Sequence, residues 1–359
     1  MSTAIDRKTL LKKLNTVKPA VSAQSYIPIL KHLKFDGKTV TAYNDIVAIS
    51  VLCDSQGFEG CVSADLLLKT LSSMSAEEVV LQNSAESLLV SAGRSKIKLP
   101  VMPSEDFPFV PAAWRNSNKI LGSFGVSKDM LTGIKLCLLG AGTDTKHPAQ
   151  MGVTLDPLFS LECAALYSTD SVTLSRFTFG TDMEIPGDAP VIMPTFFCEQ
   201  LLSMARVCED VKIETYTGAL LAVFSDGSML FTKTLADLEP MAFAEVFKKY
   251  VETDEVTTLT IPEAFEQSFE RAVLVQSAES QLSTSVSVVS KKMTLKSTSK
   301  SGEAEDVMSL SASDCAFYIN PASVKRMLAV TSKIAMLPKV VLLTDDKQEF
   351  MHLIAHRSA

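Results

Sequence analysis

Apolar residues recur in the same order three times along the chain. VSADLLLKTLSSM, MPTFFCEQLLSMARV and INPASVKRMLAVTSK each space their apolar positions for one face of a short helix. Each is followed by a polar break and two short apolar runs: EVVLQN and SLLVSAG, then DVKIET and ALLAVFS, then KVVLLT and FMHLIAH. Runs of this length, rich in Val, Leu and Ile, predict paired strands. Ser63, Thr195 and Asn320 stand at the predicted helix starts, where a side-chain oxygen can bond an orphan N–H, and Pro321 suits the first helical position. From cap to strand valine the spacing is 16 residues twice (63 to 79 and 195 to 211) and 20 once (320 to 340).

An earlier helix precedes each of these units, over 6–17, 127–139 and 262–275. On the first of them Leu10, Leu14 and Val17 form one apolar stripe. KTVTAYN, FSLECAALY and TSVSVVS alternate with the period of two expected of half-buried strands. The whole predicts a βαβββ-like half used twice in each of three domains, 1–119, 120–250 and 251–359. Their boundaries fall at the polar stretch 116–119 and near 248–255. At ~120 residues each, these are ordinary domain sizes. The expected class is α+β, two helices against antiparallel sheets in every domain.

Charge sharpens this picture. The 359 residues carry 34 Lys and Arg against 41 Asp and Glu, a net charge of −7. As a single number that argues against a nucleic-acid partner, yet the basic residues gather on helices. The first helix carries Arg7, Lys8, Lys12, Lys13 and Lys18, and others carry Lys128, Lys135, Arg206, Arg271, Lys325, Arg326 and Lys333. Basic helix faces on an acidic protein suit a phosphate backbone. Aromatic residues for stacking on unpaired bases are missing from those faces, which favours duplex read without sequence.

Catalytic patterns do not emerge. The chain contains no GxGxxG, no phosphate loop, no GxSxG and no HExxH. The seven cysteines are scattered without CxxC spacing and read as buried free thiols of a reducing cytoplasm. His352 and His356 are four apart but have no neighbouring ligand in sequence, so no metal or cofactor is expected. Neither a signal core nor an apolar run of about 18 residues is present, so no membrane span is expected.

An ordered set of short pieces resembles the bacterial DNA sliding clamp, the beta subunit of DNA polymerase III. They are Ile27-Pro28-Ile29-Leu30, Asn44-Asp45, Gly93-Arg94-Ser95-Lys96, Glu105-Asp106-Phe107-Pro108, Gly152-Val153, Ser168-Thr169-Asp170, Phe269-Glu270-Arg271-Ala272, Gly302-Glu303-Ala304-Glu305-Asp306 and Ile319-Asn320. The resemblance implies a head-to-tail homodimer ring of six like domains, with helices lining a hole around duplex DNA. Its function would be a processivity factor without catalysis, tethering the replicative polymerase and served by a clamp loader, in the cytoplasm at the nucleoid. The alternative is a clamp-fold protein that does not encircle DNA and instead binds or decoys host replication proteins.

The expected sites follow from both readings. DNA contacts are expected from Arg7, Lys8, Lys12, Lys13 and Arg206, with Lys146 and Gln150 from a loop, and Gln24 where the family usually has a basic residue. A partner-peptide pocket is expected from Thr169, Ser171, Val172, Thr173, Leu174, Pro240, Val246, Asn320, Ile354, His356 and Arg357. The dimer interface is expected to join Arg94, Lys96, Lys98 and Phe107 of one copy to Leu274, Glu303, Glu305 and Asp306 of the next. Two pocket regions depart from the family. TDGxRL is replaced by Thr169-Asp170-Ser171-Val172-Thr173-Leu174, and the Met-Pro-Met-Arg-Leu ending by Ile354-Ala355-His356-Arg357-Ser358-Ala359. The substituted turn is expected to make the pocket rim more apolar and to change the preferred peptide. Such divergence would suit a clamp carried by a phage or another mobile element.

Overall fold

A computed structural model describes every residue except 1–3, 24–25, 85, 158, 161, 181–189, 209, 235–241, 252–255, 277–283 and 359. The eight α-helices among the described residues are α1 (Arg7–Val17), α2 (Ala64–Ser73), α3 (Pro111–Ser117), α4 (Lys128–Leu138), α5 (Thr195–Ala205), α6 (Phe243–Tyr250), α7 (Ala264–Val275) and α8 (Pro321–Leu328). No helix among the described residues is long and apolar enough to cross a membrane. All strand pairs among the described residues are antiparallel, and the class is α+β. The repeated pattern is realised: α2, α5 and α8 precede the strand pairs Glu78–Ser84 with Ser87–Ala92, Val211–Tyr216 with Ala219–Phe224, and Val340–Thr344 with Phe350–Ala355.

The chain gathers into two compact units. The first is built mainly from residues up to Val126 and from Glu199 to Thr234. Its twelve-stranded sheet runs in the order Ile5–Asp6, Glu78–Ser84, Ser87–Ala92, Ser95–Met102, Glu59–Ser63, His32–Asp36, Thr39–Tyr43, Val47–Leu52, Met229–Lys233, Ala219–Phe224, Val211–Tyr216, Gly122–Gly125. The sheet is continuous where Val47–Leu52 meets Met229–Lys233, with Phe231 opposite Ala48. The polar stretch 116–119 does not mark a plain linker, because Asn116 and Ser117 end α3. Pro111 opens that helix, and Trp114 packs edge-on against Tyr216 and Phe231. Tyr43 stacks on Phe109 beside them. Phe107 is buried in this same cluster, so it is a core residue of its own chain and not the free apolar contact expected at an interface.

The second unit holds an eight-stranded sheet, ordered Val191–Pro194, Gly152–Asp156, Cys163–Thr169, Thr173–Gly180, Phe350–Ala355, Val340–Thr344, Lys333–Met336, Leu259–Thr260. A five-stranded sheet follows, ordered Gly302–Ser309, Lys292–Ser299, Thr284–Val289, Cys315–Ile319, Arg357–Ser358. Gly133 lets α4 lie close on the eight-stranded sheet, since a Cβ there would strike Phe177 and Leu166. α7 and α8 pack on each other.

One of the expected caps behaves differently from expectation. Asn320 accepts the Ala322 N–H at 3.0 Å, as a cap should, but Ser63 makes no side-chain cap bond at the start of α2. Asp6 caps α1 through the Thr9 N–H at 2.7 Å. All seven cysteines are free, but Cys163, Cys208 and Cys315 are half-buried where full burial was expected.

Candidate functional site

A groove of about 940 Å³ opens in the second unit. Its walls are the turn at Thr169–Leu174, helix α6, and the chain end from Leu353 to Ser358, with Lys339 and Val340 closing one side. The turn is made by Asp170, whose Oδ1 accepts N–H bonds from Val172 at 3.1 Å and Thr173 at 2.7 Å. Ser171 lies in the left-handed region at φ 74°, the conformation that a glycine takes without strain. Its hydroxyl donates to Gln150 Oε1 at 2.8 Å. Thr169 Oγ1 donates to the Thr173 carbonyl at 2.6 Å and Thr173 Oγ1 to Asp170 at 2.8 Å. The three hydroxyls of the turn are thus all bonded, two within the turn and one to Gln150.

Helix α6 turns one face inward and the other to the groove mouth. Phe243 and Phe247 are buried, Phe243 stacking on Tyr167, while Val246 and Lys249 stay exposed. The spacing of Phe243 and Phe247 in FAEVFKKY is the signal that could have placed this helix from sequence. The guanidinium of Arg176, buried beneath, lies 4.4 Å from the Phe247 ring centroid.

The chain end crosses from one sheet to the other. Phe350–Ala355 pairs with Thr173–Gly180, and Arg357–Ser358 then pairs with Phe317 and Tyr318. His356 stacks on Phe317 and donates through Nε2 to the Leu337 carbonyl at 2.9 Å. Arg357 lies over the Tyr318 ring at 5.4 Å.

Of the expected pocket residues, Thr169, Ser171, Val172, Thr173, Leu174, Val246, His356 and Arg357 come together here. Two do not. Ile354 is fully buried on the opposite face of its strand, because successive side chains alternate, and its neighbours Leu353 and Ala355 line the groove instead. Asn320 is engaged in capping α8 and accepting from Gln276, away from the groove. Pro240 lies outside the described residues. Phe243, Lys249, Tyr250, Lys339 and Ser358 line the groove without having been expected there. Lys249, Lys339 and Arg357, none of them from the turn, also line the groove.

The basic face of α1 divides in two. Lys8 and Lys12 are exposed and Lys13 is half-buried, while Leu10, Leu14 and Val17 are buried behind them. Arg7 turns away. Its Nε donates to the Ala76 carbonyl at 2.7 Å and its Nη1 to Leu71 at 3.1 Å, which satisfies the C-terminal end of α2. Arg206 is exposed just beyond α5. Lys146 is exposed in the second unit, where Gln150 is tied to Ser171. Gln24 lies outside the described residues.

Two sheet edges carry opposite charge. Ser95–Met102 pairs with Glu59–Ser63 only through Val101 and Met102, so the rest of that side has no strand partner among the described residues. Arg94, Lys96 and Lys98 are exposed along it. In the second unit Gly302–Ser309 is the end strand of its sheet. Glu303 and Glu305 share Lys296, at 2.6 and 3.6 Å. Asp306 points to the other face, where it takes a two-pronged bond from Arg271 of α7, so it holds its own helix and does not join the outward acidic row. Leu274 projects from α7 at 80% exposure.

Among the described residues no group of three or more His, Cys, Asp or Glu could hold a metal ion. Burial holds His352 down to about 3, and its Nδ1 is 2.8 Å from Ser175 Oγ.

Comparison with known proteins fits this architecture. A family model described as DNA polymerase III beta subunit, N-terminal domain, matches residues 1–111. The chain is similar to the beta sliding clamp of Streptococcus pneumoniae serotype 4, 25% identical over 389 residues, covering 98% of this chain and 97% of that protein. Its structure is similar to the sliding clamp of Bartonella birtlesii bound to griselimycin (TM-score 0.87, 15% identity, 100% of both chains). It is also similar to the beta subunit of the Streptococcus pyogenes DNA polymerase (TM-score 0.83, 20% identity, 99% of both chains).

Proposed function

Starting from a first domain that matches the beta-subunit family and a whole chain with the sliding-clamp fold, we propose that this protein is a DNA sliding clamp, a non-catalytic processivity factor. The observation that carries the reading is the end-to-end likeness to sliding clamps, which leaves no part of the chain to a different fold.

In this reading the chain holds three clamp domains, and two copies close head to tail into a ring of six. The unpaired basic edge at Ser95–Met102 of one copy meets the acidic end strand Gly302–Ser309 of the next. Backbone pairing across such edges supplies the geometry, and Lys96 and Lys98 facing Glu303 and Glu305 set the polarity. Leu274 provides an apolar contact at the same joint. The mechanism is topological. A closed ring holds DNA without reading its bases, and Lys8, Lys12, Lys13, Arg206 and Lys146 face the phosphates loosely enough to permit sliding. The groove takes an extended segment of a polymerase or loader, and the ring raises that partner's effective concentration at the template.

Solution mass tests the assembly. Sedimentation equilibrium should give twice the chain mass at micromolar concentration, and a monomer under all conditions would remove the ring.

A further inference from the structure

The groove floor and its rim differ in chemistry. Leu174, Phe243, Val340 and Leu353 form a buried apolar floor, with Val172 and Val246 exposed at its lip. The rim is charged. Among the described lining residues, Lys249, Lys339 and Arg357 stand on it against one carboxylate, Glu245. None of the three cations makes an ion pair with a described residue. Two rest on aromatic faces instead, Lys249 at 5.3 Å over Tyr250 and Arg357 at 5.4 Å over Tyr318. An aromatic face positions a cation without neutralising it. Among the described lining residues, three cations less one carboxylate leave an excess of two positive charges, on a chain whose net charge is −7.

Resting on the reading of the groove as a partner-peptide site, we infer that its occupant is an acidic peptide: apolar anchors for the floor, flanked by one or more carboxylates for Lys249, Lys339 and Arg357. The division of labour follows from the chemistry. The turn hydroxyls are already bonded, within the turn or to Gln150, and the floor is apolar, so a polar anchor would go unpaired there. Rim ion pairs are solvent-exposed and individually weak, so the carboxylates act on selection and encounter rate more than on raw affinity. Three weak pairs together amount to about tenfold in binding.

The test is a fluorescence-anisotropy titration of the full chain with synthetic peptides sharing two leucine anchors. One is flanked by aspartates, one by asparagines and one by lysines. The aspartate peptide should bind about tenfold more tightly than the asparagine peptide at low salt, with the lysine peptide weakest. Raising the salt should close the gap. Lys249→Glu, Lys339→Glu and Arg357→Glu combined should reverse the order of the charged peptides, and all three side chains are exposed enough for the fold to tolerate them. Val172→Asn with Val246→Asn should weaken every peptide alike. Equal binding of the three peptides to the native chain, with loss in the valine variant, would overturn the acidic preference and leave the groove as the docking site. Binding of no peptide, or binding indifferent to both valines, would overturn the groove reading and this inference with it.

Discussion

Arg115 on α3 grips Glu214 on the neighbouring strand with two parallel bonds, Nε to Oε2 at 2.8 Å and Nη2 to Oε1 at 2.5 Å. Glu214 is 1% exposed, and Tyr216 donates a third bond to it at 2.8 Å. Burial alone would raise this carboxyl, but the hydrogen bonds from Arg115 and Tyr216 and the Arg115 charge hold it below the ordinary carboxylate range. Arg115 and Glu214 stand 99 residues apart, so the pair ties distant segments of the first unit through one short helix.

Removing one partner should therefore be costly. Arg115→Ala leaves a buried carboxylate unpaired and should lower stability by about 2 kcal/mol, measured by urea unfolding. The sign of the pH dependence follows from a carboxyl that is lowered on folding. Its contribution is complete above the unfolded value of 4.5 and is lost as pH falls through the folded one. The stability gap between the native chain and Glu214→Gln should thus be present near neutral pH and shrink well below pH 4.5. A gap that is constant with pH would contradict the account.

The turn of the groove offers a gain in stability. Ser171 holds φ 74° where glycine carries no Cβ penalty. Ser171→Gly should raise stability by about 0.5 kcal/mol, the relief of left-handed strain being offset in part by added freedom of the unfolded chain and by loss of the exposed bond to Gln150. Equilibrium unfolding midpoints check this.

Lys8, Lys12 and Lys13 should carry salt-dependent DNA binding. Reversing all three to Glu should reduce the slope of log affinity against log salt by about one for each lysine that meets a phosphate. Filter binding across a salt series measures it. Arg7 is the internal control. Arg7→Ala should act on stability, through Ala76 and Leu71, more than on the slope.

The dimer joint should respond to charge. Glu303→Lys with Glu305→Lys should shift the mass toward monomer at low concentration, and Lys96→Glu with Lys98→Glu in the same chain should restore the dimer. Sedimentation velocity of the two variants makes the comparison.

Much of this was legible in the sequence because the signals were local. Leu10, Leu14 and Val17 repeat at helical spacing, and the strand pairs after α2, α5 and α8 are marked by apolar runs between polar breaks. What sequence missed depends on tertiary neighbours. Strand phase placed Ile354 one residue out of the groove, since either Leu353 or Ile354 could face it until the pairing with Thr173 and Leu174 was known. Asp306 sits in an acidic run, and only the position of Arg271 shows that it points inward. Phe107 is apolar and near a charged edge, and its burial comes from residues as distant as Tyr216 and Phe231. The continuous sheet from Val47–Leu52 to Met229–Lys233 joins segments far apart in sequence, and no local pattern announces such pairing.

The most direct measurement of the clamp reading is retention on closed DNA. The protein is loaded onto nicked circular duplex by a bacterial clamp loader, freed of unbound chain by gel filtration, and followed after the circle is cut once with a restriction enzyme. A ring linked to DNA stays with the circle at high salt and runs off the linear product. Equal retention on circular and linear DNA, or release from the circle at a salt concentration that merely screens phosphates, would contradict it.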